Sequence, residues 1–418
     1  MRFPLLLLAV KSLANRKVSI ALTMLSIILS VTLFLGVEKI RDGVRESFNS
    51  TISGTDLIVG ARGGSVNLLL YSVFRLGDPT ANISWDSYEL ISTAPNVDWA
   101  VPISLGDSHR GYRVVGTTAA YFDHYGYGRN QSLSFAEGQR LDGIYDVVIG
   151  AEIARQLDYA LGSELTLSHG IGEVSFAEHT GHNFRVVGIL APTGTPVDRS
   201  LHVSLEAIEL IHVGWQSGMA PSAEALAANP PDNLTPESVT AVFVGVSSPI
   251  QILTLQRQIN TYRGEALTAI MPGVALSQLW EVISVAERAF AAISILVILV
   301  GLTGILTALS SSINERRREM AVLRAAGARP SDIFGLLLLE AAVVALVAAA
   351  IGIVIANLAF AAIGAMISQR YGISLPPGFG PEEAYILVLM PLAGALMGVW
   401  PAIRALRNAL SDGLSIRL

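Results

Sequence analysis

Three long stretches of this chain, Val18–Val37, Ala289–Ile313 and Ala384–Ile403, contain no charged side chain, and a fourth, Ile333–Ser368, is interrupted only by Glu340. A hydrocarbon core about 30 Å thick takes roughly 20 helical residues at 1.5 Å each, and every one of these runs meets that length. Backbone groups in lipid have no water to bind, so such runs are confined to helices. The composition agrees: 51% of residues are hydrophobic and 15% charged, with a mean hydropathy of +0.52, whereas soluble domains carry about a quarter charged. The first run is too long for a signal peptide and leads into Glu38-Lys39-Ile40-Arg41 with no small-residue cleavage site, so it is expected to remain as an anchor. Ile333–Ser368, third in chain order, exceeds one crossing, which leaves open a tilted helix with an amphipathic extension or a bend near Gly364.

Three groups of cationic residues lie beside the apolar runs. Arg2, Lys11, Arg16 and Lys17 precede the first run, Arg316, Arg317, Arg318, Arg324 and Arg329 separate the second and third, and Arg404, Arg407 and Arg417 follow the fourth. Four crossings put all three groups on one side, which the positive-inside rule makes the cytoplasm. Both termini are then cytoplasmic, in a bacterial inner membrane. The expected division is a cytoplasmic segment at 1–17, the first span with an outward stalk at 18–48, an extracytoplasmic domain at 49–275, and stalk plus second span at 276–313. A cytoplasmic loop follows at 314–332, then the third span with its extension at 333–368, a short external loop at 369–383, the fourth span at 384–403 and a tail at 404–418.

Short runs rich in β-branched residues, Asp56–Val59, Tyr112–Val115, Asp146–Ile149, Phe184–Val187 and Ala241–Val244, read as strands. Helical pieces at Ala151–Leu157 and Leu205–Ile211 intervene, which predicts a mixed α/β domain inserted between the first and second of four transmembrane helices. Gly214–Ser238, heavy in Ala, Pro, Ser and Asn, reads as a mobile excursion. Val37, Ile40, Val44 and Phe48 recur at helical spacing after the first run, as do Leu276, Leu279, Trp280 and Ile283 before the second. These stripes predict helices that continue outward and pack as a stalk, or else cap the domain at the membrane surface.

Asn314–Asp332 reads as a short helix with a stop, because Gly327 suits a C-terminal cap and Pro330 follows it. Met320, Val322, Leu323 and Ala326 among five arginines form apolar knobs that call for a partner's groove, or for an anionic lipid surface. With Glu315, Arg316, Glu319, Leu323, Arg324, Ala325 and Gly327, this loop resembles that of the FtsX-like permease family. Glu340 shortly into the third span and Trp400–Ala405 near the C-terminus extend the likeness. The outer segment is similar to that of MacB-like members at Val147–Ala154, Leu157, Leu161-Gly162, Leu165–Leu167 and Phe184–Leu190.

The resemblance implies an ABC machine in which permeases pair as a homodimer, or as a heterodimer with a related permease. Each copy binds a separate ABC ATPase through the loop helix, the coupling residues being Glu315, Arg316, Glu319, Leu323, Arg324 and Gly327. ATP-driven closure then moves the stalk and outer domain, in efflux, in lipoprotein or lipid extraction, or in signalling to cell-wall hydrolases. A periplasmic adaptor or substrate protein is a further expected partner. A different reading is a scaffold that transports nothing and activates a cell-wall hydrolase, and another is a metal-linked export component.

The chain is not expected to be the ATPase itself. A Gly-x-x-x-x-Gly-Lys-Ser/Thr loop needs a Gly-Lys pair, and Lys11, Lys17 and Lys39, the only lysines, follow Val, Arg and Glu. Gly60-Ala-Arg-Gly-Gly64 opens no evident helix and reads as a plain turn. Glu340 lies in an otherwise uncharged run and requires a partner or water, structural pairing being the expected role and transport coupling the alternative.

All seven histidines fall in the outer segment, and His179 and His182 with His169, Glu173 and Glu178 make a candidate zinc or copper site. Their spacing fits no helical His-Glu-x-x-His pattern, and the plainer reading is a solvated polar loop. No cofactor is otherwise expected. The absence of cysteine excludes disulfides and thiolate chemistry, and no nucleic-acid footprint or catalytic triad signature is present.

Overall fold

The computed structural model describes residues 17–169, 178–213, 234–325, 327–371 and 378–411. Contacts divide the chain into two compact units. One is Val44–Ile283 with a few residues from Ile367 on, and the other comprises the segments up to Gly43, Ser284–Met366 and from Leu375 on.

The first unit is built on a ten-stranded mixed sheet. Its strands are β1 (Leu57–Ala61), β2 (Val97–His109), β3 (Tyr112–Thr117), β4 (Phe135–Gly138), β5 (Asp146–Ile149), β6 (Glu164–His169), β7 (Glu178–Leu190), β8 (Ser200–Ser204), β9 (Ala241–Val246) and β10 (Leu267–Ile270). They pair in the order β10-β1-β9-β2-β3-β8-β5-β7-β4, while β6 pairs with both β7 and β2. Two pairs are parallel, β3 with β8 (Val114 opposite Leu201) and β5 with β7 (Val147 opposite Val186). The interior strands are apolar without alternation, as in Val147-Val148-Ile149 and Ala241–Val244, because both faces are covered.

Local chemistry sets the connections. Arg110 (φ 47°) and Gly111 (φ 82°) turn β2 directly into β3, the left-handed pair that a two-residue hairpin demands. Ser204 caps the helix Leu205–His212 by accepting a hydrogen bond from the Ala207 amide at 3.1 Å. That helix lies so close to β3 that a Cβ on Gly116 would stand 2.6 Å from Ile208. Gly138 is the strictest position, since it combines φ +77° with a Cβ direction 2.1 Å from the Val187 carbonyl oxygen.

Four long helices follow the four apolar runs: α1 (Lys17–Ser50), α2 (Pro272–Ala325), α3 (Pro330–Tyr371) and α4 (Pro381–Ser411). Each has the length and hydropathy to cross a membrane. The third run is one uninterrupted helix through Gly364, so the alternative of a bend there is excluded. Large apolar side chains stand bare on the helices, among them Leu22, Leu29, Leu296 and Leu396, each more than half exposed. Such a surface suits lipid and not water.

Between these helices Ile27, Leu35, Ile305 and Met390 are buried, and the closest approaches are made by small residues, as expected where lipid tails are as apolar as the side chains they would replace. A Cβ on Gly352 would meet Val31 at 3.0 Å, and one on Gly394 would meet Ala345 at 2.7 Å and the Ala341 carbonyl at 2.9 Å. Ala341, Ala345, Ala348 and Ala349 are all buried. Hydroxyls supplement the fit: Ser30 Oγ lies 3.0 Å from the Val297 carbonyl, and Thr32 donates to the Gly352 carbonyl at 3.2 Å.

Of the excursion expected at Gly214–Ser238, residues 214–233 lie outside the described residues. Its end is not a loop, because Ser238 and Val239 pair with Ser84 and Ile83 in a short two-stranded ribbon.

Candidate functional site

The basic hairpin between α2 and α3 is closed by its own sequence. The backbone amide of Gly327, at φ +92°, donates to the Arg324 carbonyl at 2.9 Å, a turn that an L side chain would strain. Pro330 then opens α3, where its missing N–H costs nothing. The Arg329 amide donates to the Asp332 carboxylate at 2.8 Å, and the Asp332 amide returns to the Arg329 carbonyl at 2.9 Å. That carboxylate sits in the first turn of α3, where the helix dipole favours negative charge.

Met320 fastens the hairpin to the helices beside it. It is 7% exposed and packs with Ile333, Leu337, Ala402 and Ala405, with Phe334 alongside. The sequence reading offered Met320 as a knob for a partner's groove, and the structure corrects this: the side chain is consumed within the chain. The clue was Ala402 and Ala405, small residues at helical spacing that leave room for a long flexible thioether. The same cluster puts the hairpin and the end of α4 at one end of the helical unit. Arg324, Arg329, Arg404 and Arg407 are exposed there, and the Arg404 guanidinium lies over the Trp400 ring at 5.4 Å. Glu315, Arg316, Glu319 and Leu323 belong to the last turns of α2, but their side chains lie outside the described residues. Glu340 stands in α3, 2% exposed and beside the buried Ala341.

Two further arrangements matter. In the sheet-bearing unit Trp280 meets Phe48 edge-on at 5.8 Å, Phe48 stacks on Phe74 at 4.4 Å, and the Arg45 guanidinium lies 5.8 Å from the Trp280 ring centre. Phe48 near the end of α1 and Trp280 near the start of α2, one from each apolar stripe, thus touch, a contact that a stalk and a cap on the domain would share. The other arrangement was missed from the sequence. Lys39 donates to the Gly378 carbonyl at 2.8 Å and to Asn357 Oδ1 at 3.3 Å, and pairs with Glu383 at 2.9 Å. Its only signal was that the two other lysines lie before Val18.

The histidines separate into different roles. His169 and His179 have side chains outside the described residues, and His182 faces the Tyr145 hydroxyl through Nδ1 at 3.3 Å. No group of three or more metal-binding side chains occurs among the described residues. His202 is fully buried in β8 against Tyr121 and Phe122, and burial pushes its pKa down to about 3, so the ring is neutral. His212, 3.6 Å from Asp107, is shifted upward: burial opposes protonation, but the Asp107 carboxylate and the Ile208 carbonyl outweigh it. The glycine cluster at Gly60–Gly64 also differs from its reading as a plain turn, because the helix Ser65–Ser72 starts immediately after Gly64.

Comparison with known proteins agrees with this layout. Residues 20–262 match the family described as MacB-like periplasmic core domain, and residues 291–410 match the FtsX-like permease C-terminal family. The Macrolide export ATP-binding/permease protein MacB of Psychrobacter cryohalolentis is 25% identical over 421 aligned positions, covering 99% of this chain and 59% of that protein. The MacB of Azoarcus sp. (strain BH72) is 24% identical over 400 positions, covering 93% of this chain and 55% of that protein. The chain therefore spans under two thirds of the length of these relatives. Among solved structures, the periplasmic region of MacB from Actinobacillus actinomycetemcomitans aligns with a TM-score of 0.35 at 12% identity, over 55% of this chain and 94% of that one. On the two family matches, the chain belongs to the FtsX-like permeases: it is a multi-pass membrane protein with a MacB-like periplasmic core domain between its first and second spanning helices.

Proposed function

We propose that this chain is the membrane subunit of an ATP-driven ABC transporter complex, carrying ATPase-driven motion to its periplasmic domain for efflux or for extraction of lipoprotein or lipid. The observation that carries the reading is the closed hairpin at 314–332. Its glycine turn, its Asp332 cap and the Met320 anchor fix it to the ends of α3 and α4, so a push on it is delivered to the helices and not absorbed by a slack loop. Exposed Arg324, Arg329, Arg404 and Arg407 give that end a positive face, which supports a cytoplasmic orientation of the hairpin and both termini.

The relatives' printed name joins ATP binding and permease in one protein, while the 418 residues here hold no Gly-Lys pair. In this reading the nucleotide is hydrolysed by a separate ABC subunit, one per copy of a permease dimer. Glu315, Arg316, Glu319, Leu323 and Arg324 form the docking face, and Gly327 sets its angle. The contact of Phe48 with Trp280 belongs, in the same reading, to a stalk through which helix movement reaches the periplasmic domain.

The test is co-purification from membranes. Leu323→Asp and Arg324→Glu are expected to abolish recovery of the ATPase with an inserted, folded permease, and recovery undiminished in both variants overturns the reading. Cysteines placed at Arg316 and Arg329, in a chain with none of its own, are expected to react with an impermeant maleimide only after the membrane is opened.

A further inference from the structure

Lys39 ties three of the membrane helices, α1, α3 and α4, and its surroundings suit release as well as attachment. Lys39 lies just beyond the uncharged part of α1, with 17% of its side chain exposed. Its ammonium donates to the Gly378 carbonyl at 2.8 Å, just before α4, and to Asn357 Oδ1 at 3.3 Å on α3, and it forms an ion pair with Glu383 Oε1 at 2.9 Å in the first turn of α4. A single side chain thereby joins three separate segments to α1. The contacts elsewhere along α1 are of another kind, the Val31 packing on Gly352 and the Thr32 bond to a backbone carbonyl.

Each partner has somewhere to rest without the others. The second oxygen of Glu383 accepts the Gly380 amide at 2.6 Å, so the carboxylate stays in place as the cap of α4. Asn357 donates to the Ile353 carbonyl of its own helix at 3.0 Å. Asp42, 51% exposed and already paired with Arg41 at 3.0 Å, stands three positions beyond Lys39 on the same helix, where neighbours at that spacing can share a carboxylate. Lysine itself carries its charge on a long flexible stem at the edge of the apolar run, from where it can reach water.

We propose that Lys39 is a detachable clasp. It holds the outer end of α1 against α3, the turn at Gly378 and α4 in the resting state, and it releases them when the complex takes up nucleotide. The second half of this statement rests on the ATP-driven reading above, and the first half does not.

The absence of cysteine allows site-specific spin labels at Ile40→Cys and Phe379→Cys, both exposed and on opposite sides of the clasp. In the full chain in lipid nanodiscs without nucleotide, the parent is expected to give one narrow distance. Lys39→Met is expected to broaden it and move it by several ångströms, Glu383→Gln, which keeps the Gly380 cap, to do so less, and the exchange Lys39→Glu with Glu383→Lys to restore it. Unchanged distances in both Lys39→Met and Glu383→Gln overturn the clasp.

In the complex trapped with ATP and vanadate, the parent distribution is expected to shift to that of Lys39→Met. A complex that hydrolyses ATP yet keeps the resting distance when trapped overturns release. Should no ATPase join the chain, the ATP-driven reading and the release that depends on it fall together. The nucleotide-free comparison still decides whether Lys39 holds the helices.

Discussion

The periplasmic domain and the membrane helices are both densely packed, but they are held by opposite rules. In the domain, large side chains such as Phe184, Phe243 and Tyr121 are buried where water would otherwise meet them, so size contributes directly through the hydrophobic effect. Among the helices, burial from lipid brings no such gain, and the tight places are Gly301, Gly352, Gly394 and the alanines of α3. One unit is therefore expected to suffer most from lost volume and the other from added volume.

Phe243→Ala is the strongest test of the first half of that contrast. A fully buried aromatic in the sheet should cost about 3–5 kcal/mol, seen as accelerated hydrogen exchange across β1, β9 and β2 in the full-length protein. Truncating the buried Leu35 of α1 to alanine is expected to lower helix-unit stability by less, and equal losses would break the comparison. Next in size is Gly394→Leu, which forces a side chain into a gap where even a Cβ lies 2.7 Å from Ala345. Overpacking costs about 1–3 kcal/mol, and the readout is a lower thermal midpoint in detergent with periplasmic exchange unchanged.

A smaller effect comes from pH and should appear only in the periplasmic unit. His202 has a folded pKa of about 3 against an ordinary 6.5, because burial disfavours its charged form. The unfolded chain therefore binds the extra proton first. Stability is full above pH 6.5 and falls by about 1.4 kcal/mol for each unit below it, until the pH reaches the folded value. Exchange of the β8 amides at pH 7 and pH 5 measures this, and His202→Phe should flatten the His202 share of the slope. The smallest expected change is Ser30→Ala, which removes a hydroxyl near the Val297 carbonyl. Polar contacts between membrane helices average about 0.6 kcal/mol, so a loss well above that would mean the helices depend on hydrogen bonds more than on fit.

The same contrast explains how much could be read from residues alone. The spanning helices were legible because lipid tolerates no interruption, and the hairpin because Gly327 and Pro330 punctuate it. The short strands were legible as strands, but their order was not. Nothing local tells β9 to lie between β1 and β2, since that choice is made by side chains from distant segments meeting in the core. Lys39 was invisible for the same reason: Asn357 stands 318 positions later. Met320 was misread because an apolar residue among arginines looks the same whether its groove is supplied by another protein or by Ala402 and Ala405. Ser65–Ser72 was missed because the eight-residue helix follows directly on two glycines and is held by burial of Leu68 and Leu69, not by a side-chain cap.

The two prolines inside α4, Pro391 and Pro401, set that helix apart mechanically. Each lacks the amide that would bind the carbonyl four residues earlier, so the carbonyls of Leu387 and Met397 are left without their usual helical donors. At about 100° per residue, sites ten positions apart fall roughly 80° from each other around the axis, which places both soft points toward one side. Of the four membrane helices α4 is then the one expected to behave as a leaf spring, bowing and recoiling under load where its neighbours act as struts.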